Sequence, residues 1–290
     1  MSWRTIVVSK STKLDYQMGF MVVRSDKTLR IHIDEIYMVI VESTAVSLTA
    51  ALLCELSKKK IKVVFCDEKR NPSSELVSYY GSHDTSAKVR KQVAWSTDIK
   101  GTIWTEVVRE KISKQAQHLD SWNIKAANLL KEYINELQFA DTSNREGHAA
   151  KVYFNSLFGL DFTRTADNST NAALNYGYSL LLSMMNREIV ACGYITQLGL
   201  FHDNMFNQFN LGSDMMEPFR PIVDSLVKKE KFEKFETDEK RRVLKMLSYE
   251  VLINGKAELL SNAMRVYCHS IFDAINDNDP SLIKFYDYEF

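Results

Sequence analysis

The spacing of apolar residues changes once along this chain of 290 residues. Before about residue 70, short β-branched runs such as residues 6–8 and 36–41 alternate with polar turns, which predicts strands. From about residue 86 onward, apolar residues recur every three or four positions and glycine and proline become sparse, which predicts helices. The sequence therefore predicts an α+β fold, with a small N-terminal β-rich domain followed by a larger all-helical C-terminal domain.

The change in spacing also sets the expected domain boundaries. We place the N-terminal β domain at residues 1–72, a linker rich in Ser, Tyr and Gly at 73–85, and the helical domain at 86–290. Residues 19–24 and 29–33 flank a polar turn and predict a hairpin, while Ser43 and Thr44 are the expected caps of a helix over residues 45–56. The expected helices of the second domain lie near residues 86–118, 122–138, 144–158, 170–192, 214–228, 237–254 and 257–275.

The composition is that of a soluble globular protein rather than a membrane protein. Apolar residues make up 45% of the chain and charged residues 26%, which are ordinary shares for soluble domains. The longest apolar stretch, residues 172–192, is interrupted by polar and charged side chains, so it suits a buried helix better than a membrane span. The first residues contain no basic segment followed by a long apolar run, and we expect no signal peptide.

The cysteines and the charge balance narrow the functional classes to which this protein can belong. The four cysteines form no CxxC pair, which predicts buried reduced thiols in a cytoplasmic protein and gives no support to a zinc site. The 37 basic residues are balanced by 37 acidic ones, so the chain lacks the basic total that is typical of a simple nucleic-acid binder. Locally basic surface still allows DNA binding, because the local field matters more than the sum of charges.

The run from Asp214 to Pro221 places two carboxylates three residues apart, followed by an Arg between two prolines. On a helix, Asp214 and Glu217 would lie on one face, where two unpaired like charges repel. Either they compensate the dipole of a helix capped by Ser213, or they bind a cation. The pattern leaves both roles open.

Arg220 is the Arg that lies between Pro218 and Pro221. The fixed φ angles of the two prolines would aim its side chain reproducibly. A guanidinium binds two phosphate oxygens at once, so Arg220 is a suitable phosphate contact. An ion pair with Asp224 or Glu217 explains the same position equally well.

Glu146 is a second carboxylate with two possible roles. It follows Ser143 by three residues, which matches a capping box at the start of a helix. It also lies in line with an apolar stripe that consists of Ala149, Ala150, Tyr153 and Leu157. A carboxylate on that face needs a partner, because burying it alone is costly. A metal ion would be such a partner.

His202 follows a glycine at a transition from apolar to polar residues. A lone His is more often structural than a ligand, and a ligating ring needs its other nitrogen held by an acceptor. Together with Glu146 and either Asp214 or Glu217, His202 would complete a set of two oxygen ligands and one nitrogen ligand. Such a set suits Mg²⁺ or Mn²⁺ better than structural zinc. The sequence shows no Cys–His or Ser–His arrangement for a protein nucleophile.

Three segments together resemble one known family. Residues 175–181 (NYGYSLL), 199–202 (GLFH) and 214–221 (DMMEPFRP) follow, in order and content, the motifs of the CRISPR adaptation endonuclease-integrases, the Cas1 family. The whole chain is similar to the type II-A branch of that family, from its first residues onward. A full-length match is much more specific than any one of the three motifs.

The resemblance implies a site as well as a fold. It implies that Glu146, His202 and Glu217 are the catalytic residues that bind Mg²⁺ or Mn²⁺, with Asp214 as a possible alternate ligand. Many relatives carry Asp where this chain has Glu217, so the division of labour between Asp214 and Glu217 stays open.

The resemblance also implies an activity and an assembly. The expected activity is insertion of short spacer DNA into the repeat array of a prokaryotic cell, through attack of a DNA 3′-hydroxyl on a phosphodiester. The expected assembly is a homodimer, bridged by a Cas2 dimer into a heterohexamer, with Csn2 and the type II effector nuclease as further partners. The N-terminal domain would provide the dimer and partner contacts.

The expected DNA is double-stranded and includes both the spacer precursor and the repeat array. We expect it to contact Lys151, Asn175 and Arg220 near the site, and Lys88, Arg90 and Lys91 after the linker. A second basic run, residues 58–60 with Lys62, lies in the β domain. Each basic run is also explained by a solvated charged face. Two other functions remain open at this point: a repair-type endonuclease that acts on branched DNA, and a non-catalytic DNA-binding scaffold.

Overall fold

The computed structural model describes residues 4–78 and 82–290 of the chain. It divides the chain into two units, Met1–His83 and Asp84–Phe290. The first unit is built mainly from strands and the second mainly from helices, which confirms the predicted α+β class. Residues 1–3 of the expected β domain and residues 79–81 of the expected linker lie outside the described residues.

Within its described residues, the first unit contains two four-stranded sheets, one α-helix, α1 (Ala50–Lys58), and a 3₁₀ turn at Ile33–Glu35. One sheet has the order β1-β5-β7-β8 and the other the order β4-β3-β2-β6. The strands are β1 (Arg4–Val8), β2 (Thr12–Gln17), β3 (Phe20–Arg24), β4 (Thr28–His32), β5 (Ile36–Val41), β6 (Val46–Leu48), β7 (Lys62–Cys66) and β8 (Pro72–Leu76). Strands β3 and β4 pair antiparallel, so the predicted hairpin is confirmed.

Two local expectations for this unit are wrong. The helix expected over residues 45–56 begins only at Ala50, because Thr49 rather than Ser43 or Thr44 is its cap: the Thr49 hydroxyl accepts a hydrogen bond from the backbone N–H of Leu52 at 3.3 Å. The preceding residues form β6, which pairs parallel with β2. Part of the expected linker is also ordered as β8, which pairs antiparallel with β7.

The second unit carries nine helices and one small sheet within its described residues. The sheet has the order β10-β9-β11 and adds a β element to the helical domain that the sequence predicted. The elements are α2 (Thr85–Val93), α3 (Thr97–Ser121), α4 (Ala127–Asn135), α5 (Arg145–Phe158), α6 (Ser169–Ala191), α7 (Asn210–Met215), α8 (Arg220–Glu230), α9 (Thr237–Leu244), β9 (Glu250–Ile253), β10 (Lys256–Leu259), α10 (Leu260–Asp277) and β11 (Tyr286–Asp287).

Helix α3 is the central element of this unit. It is 25 residues long and is buried on most of its circumference, and it contacts α4, α5, α8 and α10. Its apolar positions include Ile103, Val107 and Ile112, each with no exposed surface. Its buried positions also include polar and charged side chains such as Lys111 and His118, so α3 presents side chains to several neighbouring elements at once.

The helix expected over residues 237–254 ends at Leu244, and the one expected over residues 257–275 begins only at Leu260. The residues between include β9 and β10, which pair across a turn at Asn254 and Gly255, where φ is positive.

Two other expected helices are interrupted, each for a local reason. The helix expected over residues 86–118 breaks into α2 and α3, because the Ser96 hydroxyl accepts a hydrogen bond from the Ile99 N–H and starts a new helix. The helix expected over residues 214–228 breaks into α7, a 3₁₀ turn at Glu217–Phe219, and α8. Pro218 and Pro221 each lack the N–H that a continuous helix would need.

No helix within residues 4–78 and 82–290 is long and apolar enough to cross a membrane. The apolar stretch over residues 172–192 instead forms most of the buried helix α6. Of the four cysteines, Cys66, Cys192 and Cys268 are buried as expected, whereas Cys54 is exposed.

His118 of α3 belongs to a buried polar network that joins four helices of the second unit. Its Nδ1 lies 2.7 Å from the hydroxyl of Tyr153 on α5, and Tyr178 of α6 donates to Asp224 of α8. His118 has no exposed surface. Burial, with a smaller contribution from Lys228, lowers its pKa from 6.5 to about 4, so the imidazole is neutral in the folded protein at neutral pH.

We therefore predict that replacing His118 changes how stability depends on pH. Because the unfolded chain binds a proton at His118 between pH 6.5 and about 4 and the folded protein does not, acidification through this window destabilises the fold. The advantage of the wild type over His118→Asn in urea unfolding should therefore shrink by roughly 3 kcal/mol from pH 7.5 to pH 4. The exposed His83 provides the control variant, because His83→Asn makes the same substitution at the surface. The prediction would be contradicted if the difference in unfolding free energy between the wild type and His118→Asn stayed constant with pH.

Candidate functional site

Glu146 lies in the first turn of α5, and a carboxylate outside the helix caps that turn. The two oxygens of Asp141 accept hydrogen bonds from the backbone N–H groups of Arg145, at 2.7 Å, and Glu146, at 3.0 Å. The buried Ser143 hydroxyl makes no hydrogen bond to the described residues, so the capping box between Ser143 and Glu146 is absent. The side chain of Glu146 is therefore available to a partner on another element.

Glu217 lies in the 3₁₀ turn between α7 and α8 and is only 4% exposed. The last strand of the chain holds this turn: the Tyr286 hydroxyl donates to the carbonyl of Pro218 at 2.8 Å. The ring of Phe219 stacks on Tyr286 at 4.8 Å and meets Tyr267 edge-on at 5.2 Å. These contacts fix the backbone that carries Glu217.

Lys111 of α3 joins the two glutamates, a contact that the sequence reasoning missed. Its ammonium contacts Glu146 Oε1 and lies 2.5 Å from Glu217 Oε2, and the side chain is 6% exposed. Burial acts to lower the pKa of Lys111, but attraction by Glu217 and Glu146 outweighs it and holds that pKa above 10.5. The charged ammonium in turn lowers the pKa of Glu146. Two carboxylates from separate elements thus converge on one buried cation.

His202 is held by Asp214, which is fully buried on α7. Asp214 accepts hydrogen bonds from the N–H groups of Leu200 at 2.6 Å, Phe201 at 3.0 Å and His202 at 3.2 Å, and it contacts His202 Nδ1. A Cβ on Gly199 would lie 2.7 Å from the Asp214 carboxylate, so only glycine fits there. The hydrogen bond to Asp214 raises the pKa of His202.

The contacts of Asp214 and Glu217 give these two acids different roles. Both oxygens of Asp214 are occupied by the loop that carries His202, whereas Glu217 faces Lys111 and Glu146. The Nδ1 of His202 is engaged, which leaves Nε2 as the ring nitrogen for a ligand. Trp104 of α3 also supports the histidine, since its ring meets His202 edge-on at 5.8 Å and stacks on Phe201 at 4.7 Å.

The donor set has the chemistry of a divalent-cation site, but the ligands are not assembled around a metal position. Within the described ranges, no three His, Cys, Asp or Glu side chains lie close enough to hold one ion. Lys111 instead stands between the two glutamates. Lys111 is the main group that lowers the pKa of Glu146. The donor types, two carboxylates and one imidazole, fit Mg²⁺ or Mn²⁺.

Arg220 makes the ion pair that the sequence analysis left open. Its Nη2 lies 2.9 Å from Glu217 Oε1, and its guanidinium lies 4.8 Å from the centre of the Tyr178 ring. Arg164, which sequence reasoning missed, lies 5.3 Å from the same ring and donates to Asn175 Oδ1 at 2.6 Å. Two guanidinium groups therefore lie against the Tyr178 ring, and one of them is bonded to Asn175.

The other basic residues that the sequence singled out lie on helices α5 and α2. Lys151 is exposed on α5, and Arg90 and Lys91 are exposed on α2, while Lys88 pairs with Asp84 at 3.5 Å. Helix α2 is tied to the segment that leads to His202, because the amide of Gln92 donates to the carbonyls of Ile195 and Leu198 at 2.9 and 3.0 Å.

The basic run of the β domain is largely neutralised by acids. Lys59 pairs with Asp34 at 2.7 Å, and Lys58 pairs with Glu55 at 2.5 Å. Lys62 is 5% exposed and pairs with Glu75 at 2.5 Å. This run is therefore less available to DNA than its sequence indicates.

The structure also contains a Cys–His pair, which the sequence analysis did not expect. Cys192 Sγ lies 3.6 Å from His269 Nε2. A hydrogen bond with Cys268, and then His269, lowers the pKa of Cys192 to about 6. Cys192 is 6% exposed, so a bulky DNA phosphate has little access to this thiol.

Comparison with known sequences gives one consistent result. Residues 5–254 match the family model described as CRISPR associated protein Cas1. A relative from Neisseria meningitidis serogroup C, named CRISPR-associated endonuclease Cas1, is 34% identical over 229 residues, which cover 78% of this chain and 75% of the relative.

Solved structures share the fold at low sequence identity. A casposase bound to integration product superposes with a TM-score of 0.77 at 16% identity, over 96% of this chain and 92% of the casposase. A chain of a Cas6-RT-Cas1–Cas2 complex gives a TM-score of 0.74 at 17% identity. That match covers 97% of this chain and 36% of the longer one.

We predict that Asp214 is needed to hold the His202 loop. Asp214→Ala would leave three N–H groups without their acceptor, and unsatisfied buried donors are costly, so urea unfolding should show a loss of about 3 kcal/mol. Asp203, which is exposed on the same loop, is the matched control, and Asp203→Ala should change stability by less than about 0.5 kcal/mol. Equal effects of the two variants would contradict the proposed role of Asp214.

Proposed function

The chain belongs to the Cas1 family, and on that premise we propose that it is a metal-dependent DNA integrase that inserts short DNA into a repeat array. The observation that carries the proposal is the convergence of Glu146 and Glu217 on one buried cation, Lys111. In addition, Asp214 holds the imidazole of His202 through Nδ1. Its relative from Neisseria is named an endonuclease, and the casposase of the same fold is bound to an integration product.

Glu146, His202 and Glu217 would hold the metal ion, Mg²⁺ or Mn²⁺. When bound, the ion would polarise the scissile phosphate and lower the pKa of the attacking hydroxyl. Asp214 orients the imidazole of His202, so that Nε2 is the free donor. Arg220 bonds Glu217 at 2.9 Å, which fixes the rotamer of that carboxylate before any ligand arrives.

The proposed reaction is a transesterification, in which one phosphodiester bond forms as another breaks, so no external energy source is needed. The 3′-oxygen of the incoming strand forms a new P–O bond, and the bond from the same phosphorus to the 3′-oxygen of the target strand breaks. The proton leaves the attacking hydroxyl, and the departing 3′-oxygen takes up a proton from water. One phosphodiester is exchanged for another, so no covalent protein intermediate is needed.

Side chains around Tyr178 are suited to hold the DNA phosphate during this exchange. Arg164 and Arg220 both lie against the Tyr178 ring, and Asn175 accepts a hydrogen bond from Arg164. Guanidinium groups bind phosphate oxygens in pairs. Lys151, Lys88, Arg90 and Lys91 would contact the DNA backbone farther away, which makes binding strongly dependent on salt.

We further propose that the protein acts as a homodimer that joins a Cas2 dimer to form a heterohexamer. Support comes from the Cas6-RT-Cas1–Cas2 complex, one chain of which shares this fold. Csn2 and a type II effector nuclease are further proposed partners, which follow from the resemblance to the type II-A branch.

A strand-transfer assay tests the proposed function directly. Purified protein, its Cas2-type partner, a labelled short duplex and a repeat-containing plasmid are mixed with Mn²⁺. We predict that the wild type joins label to plasmid, and that Glu217→Gln and His202→Ala reduce joining at least about a hundredfold. The control is Glu110→Gln: Glu110 pairs with Lys114 at 3.2 Å, away from the glutamate pair, and its variant should join normally.

The alternatives give different products in the same assay. Ending the labelled strand in a dideoxynucleotide removes the attacking hydroxyl and should abolish joining. Cutting of a branched substrate that persists without joining would favour the repair-type endonuclease. Function that survives complete chelation of divalent metal would favour the DNA-binding scaffold, and normal joining by both site variants would overturn the metal-site proposal.

A further inference from the structure

Lys111 occupies the space that a metal ion bound by Glu146 and Glu217 would need. Its ammonium contacts Glu146 Oε1 and lies 2.5 Å from Glu217 Oε2. Lys111 comes from α3, Glu146 from α5 and Glu217 from the 3₁₀ turn before α8. The contact therefore joins three elements that are far apart in the sequence.

Electrostatics explains why a cation is needed at this position. Two carboxylates that share a poorly hydrated space repel strongly, because the local dielectric screens them less than water does. A buried ammonium without partners is equally unfavourable. Lys111 and the glutamates thus satisfy one another, and Arg220 adds a second positive charge on the other oxygen of Glu217.

We propose that Lys111 is a tethered counter-ion that holds the two glutamates together in the metal-free protein and is displaced when a divalent ion binds. A divalent ion at this position would repel the ammonium and compete with it for the same carboxylate oxygens. Lys111 therefore competes with the metal and sets its affinity. The inference rests on the proposed function, in which Glu146 and Glu217 are metal ligands.

Lys114, three residues after Lys111 on the same helix, is a matched control. Lys114 is 1% exposed and pairs with Glu110 at 3.2 Å and with Asp287 at 3.4 Å. It is a buried lysine with two acidic partners, like Lys111, but its partners are not proposed metal ligands. Lys114→Met therefore reports what the loss of any buried lysine on α3 does to the protein.

The test measures Mn²⁺ binding to the full chain by isothermal titration calorimetry, without DNA. We expect Lys111→Met to bind Mn²⁺ roughly tenfold more tightly than the wild type, because the competing charge is gone. Lys111→Arg, which keeps the charge, should not bind more tightly, and Lys114→Met should stay within about twofold of the wild type. Unchanged or weaker binding by Lys111→Met would overturn the inference.

A measurement on the wild type covers the case in which Lys111→Met does not fold. Reductive methylation of lysines, read out by mass spectrometry, should leave Lys111 protected in the metal-free protein and label it at least about threefold more when Mn²⁺ is added, since a displaced ammonium loses its carboxylate partners. Equal labelling with and without Mn²⁺ would count against displacement.

Failure of this inference can be told apart from failure of the proposed function. If the wild type binds Mn²⁺, Glu217→Gln abolishes that binding and Lys111→Met binds no more tightly, the metal site stands and only the counter-ion role falls. If the wild type binds no Mn²⁺ at any concentration that saturates known divalent-ion sites, both fall.

Discussion

The buried ammonium of Lys111 between Glu146 and Glu217 is the interaction on which the site depends. It joins the middle of α3 to the start of α5 and to the 3₁₀ turn before α8. Breaking a buried pair by removing one partner is strongly unfavourable, because a charge is left without compensation. The three elements are therefore held in one arrangement before any ligand binds, and the carboxylates of the site are pre-positioned by the protein's own charge.

The surrounding structure supports this cluster from three sides. Asp141 caps α5 and so releases the side chain of Glu146 from a capping role. Tyr286 binds the backbone beside Glu217, and Asp214 gathers the N–H groups of the loop that carries His202. Each support holds backbone, and Asp214 also contacts the imidazole of His202. Positional accuracy of that kind is what the proposed exchange of phosphodiesters would require, because such catalysis depends mainly on orientation and charge.

Local patterns in the sequence were enough to predict the fold class, the hairpin and the inward position of Glu146, since each depends on near neighbours in the chain. Lys111 was missed although a signal exists: it lies four residues after Val107 and eight after Ile103, on the buried stripe of α3. Its partners are 35 and 106 residues away, and only the folded chain brings them together. The division between Asp214 and Glu217 likewise depends on the loop geometry, not on the spacing of the acids. The type II-A branch and the metal remain predictions.

The central claim is that a divalent ion bound by Glu146 and Glu217 displaces Lys111. The most direct test is diffraction at the manganese absorption edge from crystals of the protein soaked in Mn²⁺. The account predicts one anomalous peak at about 2.0–2.3 Å from carboxylate oxygens of both Glu146 and Glu217, within the range typical of hard divalent ions, with the Lys111 ammonium moved away. An anomalous map with no peak at the glutamates, and Lys111 still between them at saturating Mn²⁺, would contradict it.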